Sequence, residues 1–197
     1  VVPVVKLAHE TVNFGGMWHS DTTYMKCPPM GSILVARELP PFGGDTLFAN
    51  QVMAYQRLSD GMKKMIKDLI GISSSAKKEV TQSRRNRMAT DAKLKKTNKL
   101  QAEHPVVRTH PETGAKILYV NYGHTLRFKG MTEEESTPIL KYLYKHQSRP
   151  EFCCAFRWKK GSIAFWDNRS TQHNPINDYD GHKRVMHRVT IAGDNPN

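Results

Sequence analysis

Two histidines and one aspartate set the chemical question for this chain. His19 and Asp21 stand two residues apart in Trp18-His19-Ser20-Asp21, and His173 follows far along the chain in Thr171-Gln172-His173. Two imidazoles and one carboxylate on one face of a metal ion leave its other positions open, the arrangement that suits non-haem Fe(II) chemistry with O2. Residues two apart on a β-strand project from the same face, so a strand through His19 and Asp21 would aim both at one ion. Eleven residues beyond His173, Arg184 offers a planar fork of donors suited to a carboxylate, such as that of an organic co-substrate. An H-x-D tripeptide is common, and a lone histidine is more often a surface or core residue than a ligand. These residue types alone therefore make a weak case.

A fold that unites these residues must close a long loop, and the pattern predicts mainly strands to do it. Ser32–Ala36 reads as a buried strand bounded by Pro28-Pro29 and by Pro40-Pro41 with Gly43-Gly44, and Asp45–Ala49 begins the next. Asn50–Tyr55 leads into a helix. Ser59 is placed to cap a second, running through Met62, Met65, Ile66, Leu69 and Ile70 at helical spacing, with its methionines assigned to the core. Val106–Thr109 and Lys116–Val120 flank the turn-rich His110–Gly114 and read as a hairpin. Thr132 and Glu135 form a capping-box pattern before a helix through Ile139, Leu140, Leu143 and Tyr144. Strands return at 152–158, 162–166 and 185–192. The fold class expected is mainly β with inserted helices, a double-sheet jelly roll of the cupin type.

The 197 residues suit one domain with one sizeable core, and no internal repeat is visible. No apolar run is long enough to span a bilayer, and the opening Val1–Glu10 has no signal-peptide pattern, so a cytoplasmic protein without a membrane partner is expected. Cys27, Cys153 and Cys154 are odd in number and include an adjacent pair, which predicts reduced thiols rather than a disulfide framework.

The net charge of +12 raises the question of nucleic acid. Its distribution argues against that partner. Between Ala76 and Leu100, nine Lys and Arg stand against two acidic residues, which leaves +7 in one segment. That segment has no aromatic residue on which bases could stack and no zinc-finger or RNA-recognition signature. Residues 76–100 are read as a basic lid or loop, polar and like-charged enough to be mobile, with a rim that attracts anions.

Four blocks carry a family resemblance: WHSD, PPMGSILVARELPPFGGDTLFAN, HPVVRTHPETGAKILYVN and WDNRSTQHNPINDYDGHKRVMHRVTIAGDNP. In this order they resemble the taurine dioxygenase family of Fe(II)- and 2-oxoglutarate-dependent oxygenases, over nearly all of the chain except the basic segment. The resemblance implies the double-stranded β-helix fold, with Fe(II) as metal and 2-oxoglutarate and O2 as co-substrates. It implies His19, Asp21 and His173 as iron ligands, and Arg184 and Thr46 of the GGDT segment as the holders of the distal carboxylate of 2-oxoglutarate. Arg188 matches the arginine that grips the sulfonate in taurine-type members. Family members carry a longer stretch before the W-H-x-D segment, so the chain is expected to be a single catalytic domain, 1–197, lacking the usual N-terminal stretch.

The substrate expected is a small organic anion, such as an alkanesulfonate whose α-hydroxylation releases sulfite and an aldehyde. Alkyl sulfates, phenoxyalkanoates and amino-acid-derived acids are the alternatives. His124 stands where taurine-specific relatives place a phenylalanine, and Gly15 and Gly16 where they carry polar side chains. These replacements predict a substrate more polar or bulkier than taurine. Two readings from other classes are a non-catalytic jelly-roll binding protein and a basic nucleic-acid-binding module. The intact ligand set disfavours the first, and the missing stacking aromatics the second. Self-association stays open.

Overall fold

The computed structural model describes residues 1–77 and 100–196. Its elements are mainly antiparallel strands with three α-helices and one short 3-10 helix, Pro150–Phe152, among the described residues. One sheet has the order β1 (Val2–Lys6), β12 (Arg184–Ile191), β2 (Gly31–Glu38), β10 (Ile163–Asp167). A second has the order β11 (Thr171–Pro175), β3 (Thr46–Asn50), β9 (Cys153–Phe156). Alternation explains the core between them. Leu34 and Ala36 of β2, Ala164 and Trp166 of β10 and Met186 of β12 are buried, with Val4, Phe48 and Phe156 packed against them. In β2, β10 and the first half of β12 alternate residues face inward, as a half-buried strand requires.

A third sheet, β5 (Gln101–Pro105), β4 (Ile70–Ser74), β8 (Thr125–Phe128), and a hairpin of β6 (Val107–Thr109) with β7 (Lys116–Leu118) lie with the helices over a second core. That core holds Leu58, Ile66, Val106, Leu118, Val120, Phe128, Leu140 and Leu143. Helix α1 (Gln51–Gln56) starts at Asn50, whose side chain accepts from Val52 N and Met53 N. Helix α2 (Asp60–Ile66) is capped by Ser59. Helix α3 (Glu133–Gln147) opens on a capping box in which Thr132 and Glu135 satisfy each other's backbone N–H groups.

Three expectations are corrected here. The helix read from Ser59 through Ile70 stops at Ile66, and Ile70 opens β4 instead. The β-branched Ile70 and Ile72 gain ladder bonds to β5 and β8, which outweigh their helical spacing. Met65, assigned to the core, is 46% exposed, on the face of α2 away from the buried Ile66. His19 and Asp21 do not share a strand. His19 forms a single bridge to His173, and the chain then turns from Asp21, with Thr22 at φ 47. Of the expected basic lid, residues 78–99 lie outside the described residues.

Candidate metal and carboxylate site

His19 and His173 are tied to each other before any ion is considered. The N–H of each donates to the carbonyl of the other, at 3.1 and 2.9 Å, so a two-way backbone bridge fixes both Cα positions. Their ring centroids lie 4.2 Å apart. Asp21 is then placed by Asn168, whose Oδ1 accepts from Asp21 N at 2.7 Å and whose Nδ2 donates to Asp21 O at 3.2 Å. The result is a buried trio in which one nitrogen of each histidine and one carboxylate oxygen lie within 4.8 Å of one another.

The surroundings select the ligand atoms. The Nδ1–H of His19 donates to Met17 O at 2.7 Å, which leaves Nε2 with its lone pair facing Asp21 Oδ1 at 3.6 Å. His173 Nε2 faces the same oxygen at 3.9 Å. Ser32 Oγ donates to the other carboxylate oxygen, Oδ2, at 2.7 Å, and so turns Oδ1 toward the imidazoles. Arg188 Nη1 donates to Oδ1 at 3.2 Å. This donor set, two imidazoles and one carboxylate on one side, is one a divalent transition metal takes; neighbouring groups orient His19 and Asp21, while His173 Nδ1 is buried without a hydrogen-bond partner.

Electrostatics keep Asp21 ionised and His173 neutral. Burial would raise the Asp21 carboxyl, but the two imidazoles that face it and the Arg188 guanidinium outweigh burial and hold the group well below the usual carboxylate range. Burial pushes His173 down to about 3, reinforced by His19 and Arg188 against the opposing pull of Asp21. Both pKa values are depressed on folding, so the unfolded chain binds more protons in acid and stability falls as pH falls. For His173 the loss runs from its unfolded value near 6.5 down through about 3, with His104, lowered by burial, adding in the same direction. The metal-free chain is therefore expected to lose melting temperature steadily below about pH 6.5, and His173→Gln to flatten that slope. Calorimetric scans of both chains across this range check it.

The two histidines line a cleft with Val4, Phe14, Leu34, Thr46, Trp166, Pro175, Arg184 and Arg188. Arg184 is 5% exposed, yet its Nε and Nη2 have no hydrogen-bond partner. Burial lowers its pKa, against the pull of Tyr179 and Asp45. Thr46 Oγ1 accepts from Trp158 Nε1 at 3.0 Å, which leaves its own proton to donate elsewhere. A buried guanidinium without partners is costly unless an anion meets it. Gly44 makes room for it: at φ +73, a Cβ there would come within 3.3 Å of Arg184 Nε.

The structure thus brings His19, Asp21, His173, Thr46, Arg184 and Arg188 together. His124 sits apart from the cleft lining. It is buried behind His19, edge-on to that ring at 5.9 Å and to Tyr24 at 5.0 Å, with Nδ1 3.0 Å from Thr23 Oγ1. Sequence reasoning missed Ser32, Asn168, Trp158 and Met17 O, which orient the trio and Thr46. Ser32 and Asn168 fall inside the matching blocks, but no spacing relates them to Asp21. Gly15 is a further contributor: at φ +71, a Cβ would lie 2.8 Å from His19 Cε1, on the edge that carries Nε2. Gly15→Ala is expected to push the His19 ring aside and weaken metal binding by about tenfold, the range seen when groups supporting a ligand are lost. Mn(II) titration by calorimetry checks this.

The model of the taurine catabolism dioxygenase TauD, TfdA family matches residues 4–190. An alkylsulfatase of Acinetobacter baylyi is 36% identical over 184 residues, 90% of this chain and 56% of that protein. An alpha-ketoglutarate-dependent sulfate ester dioxygenase of Pseudomonas putida is 36% identical over 186 residues, 91% of this chain and 60% of that protein. A solved taurine dioxygenase from Burkholderia xenovorans superposes with a TM-score of 0.76 at 37% identity, covering 91% of this chain and 57% of that one. The chain thus spans somewhat more than half the length of the relatives it matches. With a family match over nearly its whole length and a buried His-Asp-His trio beside an unpartnered arginine, the chain belongs to the taurine catabolism dioxygenase TauD, TfdA family.

Proposed function

We propose that this chain carries the site of an Fe(II)- and 2-oxoglutarate-dependent oxygenase that hydroxylates a small organic anion with a sulfate ester or sulfonate head. The observation that carries the reading is the unpartnered, buried Arg184 guanidinium, which shares one cleft with the two histidines that face Asp21. His19, Asp21 and His173 hold the metal. Arg184 and Thr46 hold the distal carboxylate of 2-oxoglutarate, and residues 1–197 form one catalytic unit. The two facing sheets support a double-stranded β-helix as its frame, with the ligands at one end.

Ferrous iron bound there supplies the coupling of O2 and 2-oxoglutarate, released as succinate and CO2, to hydroxylation of a substrate C–H bond. The residues supply the rest. His19 Nδ1–H stays on Met17 O and Ser32 stays on Asp21 Oδ2, so His19 Nε2 and Asp21 Oδ1 keep their orientation. Phe14, Leu34 and Trp166 form apolar walls that exclude water from the reacting face. Arg188 directs Nη1 to Asp21 and keeps a buried Nε without a partner, a donor for the anionic head of the substrate. Hydroxylation at the carbon bearing that head yields an aldehyde together with sulfate or sulfite. His124 backs the His19 ring edge-on from outside the cleft and so acts on the substrate only through that ligand. The names of the two bacterial relatives, an alkylsulfatase and a sulfate ester dioxygenase, support the sulfate arm.

The test is a turnover screen with Fe(II), ascorbate and 2-oxoglutarate, reading succinate across alkyl sulfates, alkanesulfonates and carboxylates. Alkyl sulfates or sulfonates larger than taurine are expected to lead, with taurine poor. Turnover highest on phenoxyalkanoates or other carboxylates would reject the sulfur head group. No succinate with any substrate, together with no binding of a dicarboxylate, would reject the oxygenase reading.

A further inference from the structure

Four Lys and Arg side chains are buried among the described residues; Arg108 and Arg169 are ion-paired, whereas Lys6, like Arg184, is not, and no step above uses it. It ends β1 directly opposite Arg184 of β12, so the two side chains leave the paired strands on the same, inward face. Lys6 is 3% exposed and Arg184 5% exposed. The Lys6 ammonium lies over the ring of Tyr179, 4.4 Å from its centroid, and Nζ has no hydrogen-bond partner. Among the described residues Lys6 makes no ion pair. The acids of the neighbouring loops are engaged elsewhere: Asp178 accepts from Gly44 N at 2.7 Å, and Asp45 faces Arg157 at 3.8 Å.

Two like charges opposite each other across a strand pair repel, and each pays for burial besides. A fold keeps such a pair when an anion of more than one charge enters between or beside them. On the oxygenase reading given above, that anion is the dicarboxylate co-substrate, whose distal carboxylate meets Arg184. We propose that Lys6 is the second cation of the co-substrate site. Its ammonium adds a fixed positive charge behind the guanidinium and makes the cleft select a dianionic 2-oxo acid over a monoanionic one. Tyr179 carries the lysine on its ring face and keeps it from bending out to solvent.

The experiment compares the whole chain with Lys6→Met and Lys6→Arg, each loaded with Mn(II), by calorimetric titration of 2-oxoglutarate and of pyruvate, which lacks the distal carboxylate. Lys6→Met is expected to weaken 2-oxoglutarate binding about tenfold while pyruvate and Mn(II) affinities hold, and Lys6→Arg to restore most of the loss. The ligand-free melting temperature should rise in Lys6→Met, because a buried like-charge repulsion has gone. Equal weakening of 2-oxoglutarate and pyruvate, or an unchanged 2-oxoglutarate affinity in a folded Lys6→Met chain, would overturn the proposal. If Lys6→Met does not fold, an unchanged 2-oxoglutarate affinity in Lys6→Gln does the same. Failure of the native chain to bind any 2-oxo acid would instead remove the oxygenase reading itself.

Discussion

Asp21→Ala is expected to abolish metal-supported turnover and to destabilise the metal-free fold. The first effect follows from removing one of three donors: groups that merely support a ligand are worth 10 to 100-fold in affinity, so loss of the ligand itself should exceed about 100-fold. The second follows from the hydrogen-bond pattern. The Asp21 carboxylate receives Ser32 and Arg188, and both ligand imidazoles face it. Without it Arg188 keeps a partly buried charge with no anion, a loss of about 3 kcal/mol, or on the order of 10 °C in melting temperature for a chain of this size. Asp21→Asn should keep the Ser32 contact and lose less stability, yet lose metal just as fully. Mn(II) titration and calorimetric melting separate the two effects. A Asp21→Ala chain that still binds metal with native affinity would show that the trio is not the metal site.

Arg184→Met should divide activity from stability in the opposite way. The guanidinium is buried, two of its nitrogens lack partners, and burial already lowers its pKa, so its charge weakens the empty fold. Methionine fills a similar space beside Trp158 without that cost, and the melting temperature should hold or rise. The KM for 2-oxoglutarate should rise about 100-fold or more, since truncating one member of a desolvated charge pair costs 2–5 kcal/mol. Steady-state succinate formation against 2-oxoglutarate concentration gives the first quantity and a thermal melt the second. Loss of both in proportion would make Arg184 a structural arginine.

The site was more legible in the sequence than the fold that carries it. His19, Asp21 and His173 made a weak case by residue type but lay in blocks that resemble a known family, and they converge in the structure. The strand alternation invoked for His19 and Asp21 was the wrong reason. A single bridge and a turn at Thr22 do the work, and backbone turns of that kind leave no periodic trace. Strands β2, β10 and β12 were readable because their inward residues alternate. Strands β4 and β5 were not. Gly71-Ile72-Ser73-Ser74 and Ala102-Glu103-His104 lack a run of apolar residues, and only pairing between distant segments makes them strands. Lys6 shows the same limit for chemistry: a lysine after Val4-Val5 looks like a surface residue until its register against Arg184 is known.

The mutual backbone bridge between His19 and His173 also fixes when the ion can be taken up. During synthesis His19 emerges well before His173 and lacks this bridge until β11, with Asn168 just before it, has left the ribosome and found its place against β3. On the proposed reading, metal capture is therefore a late event, reserved for chains whose distant halves have already met. An ion that binds only the completed arrangement raises the cost of unfolding in proportion to its concentration. Iron supply would then set the lifetime of the finished protein as well as its activity, and a starved cell would clear the empty chains first.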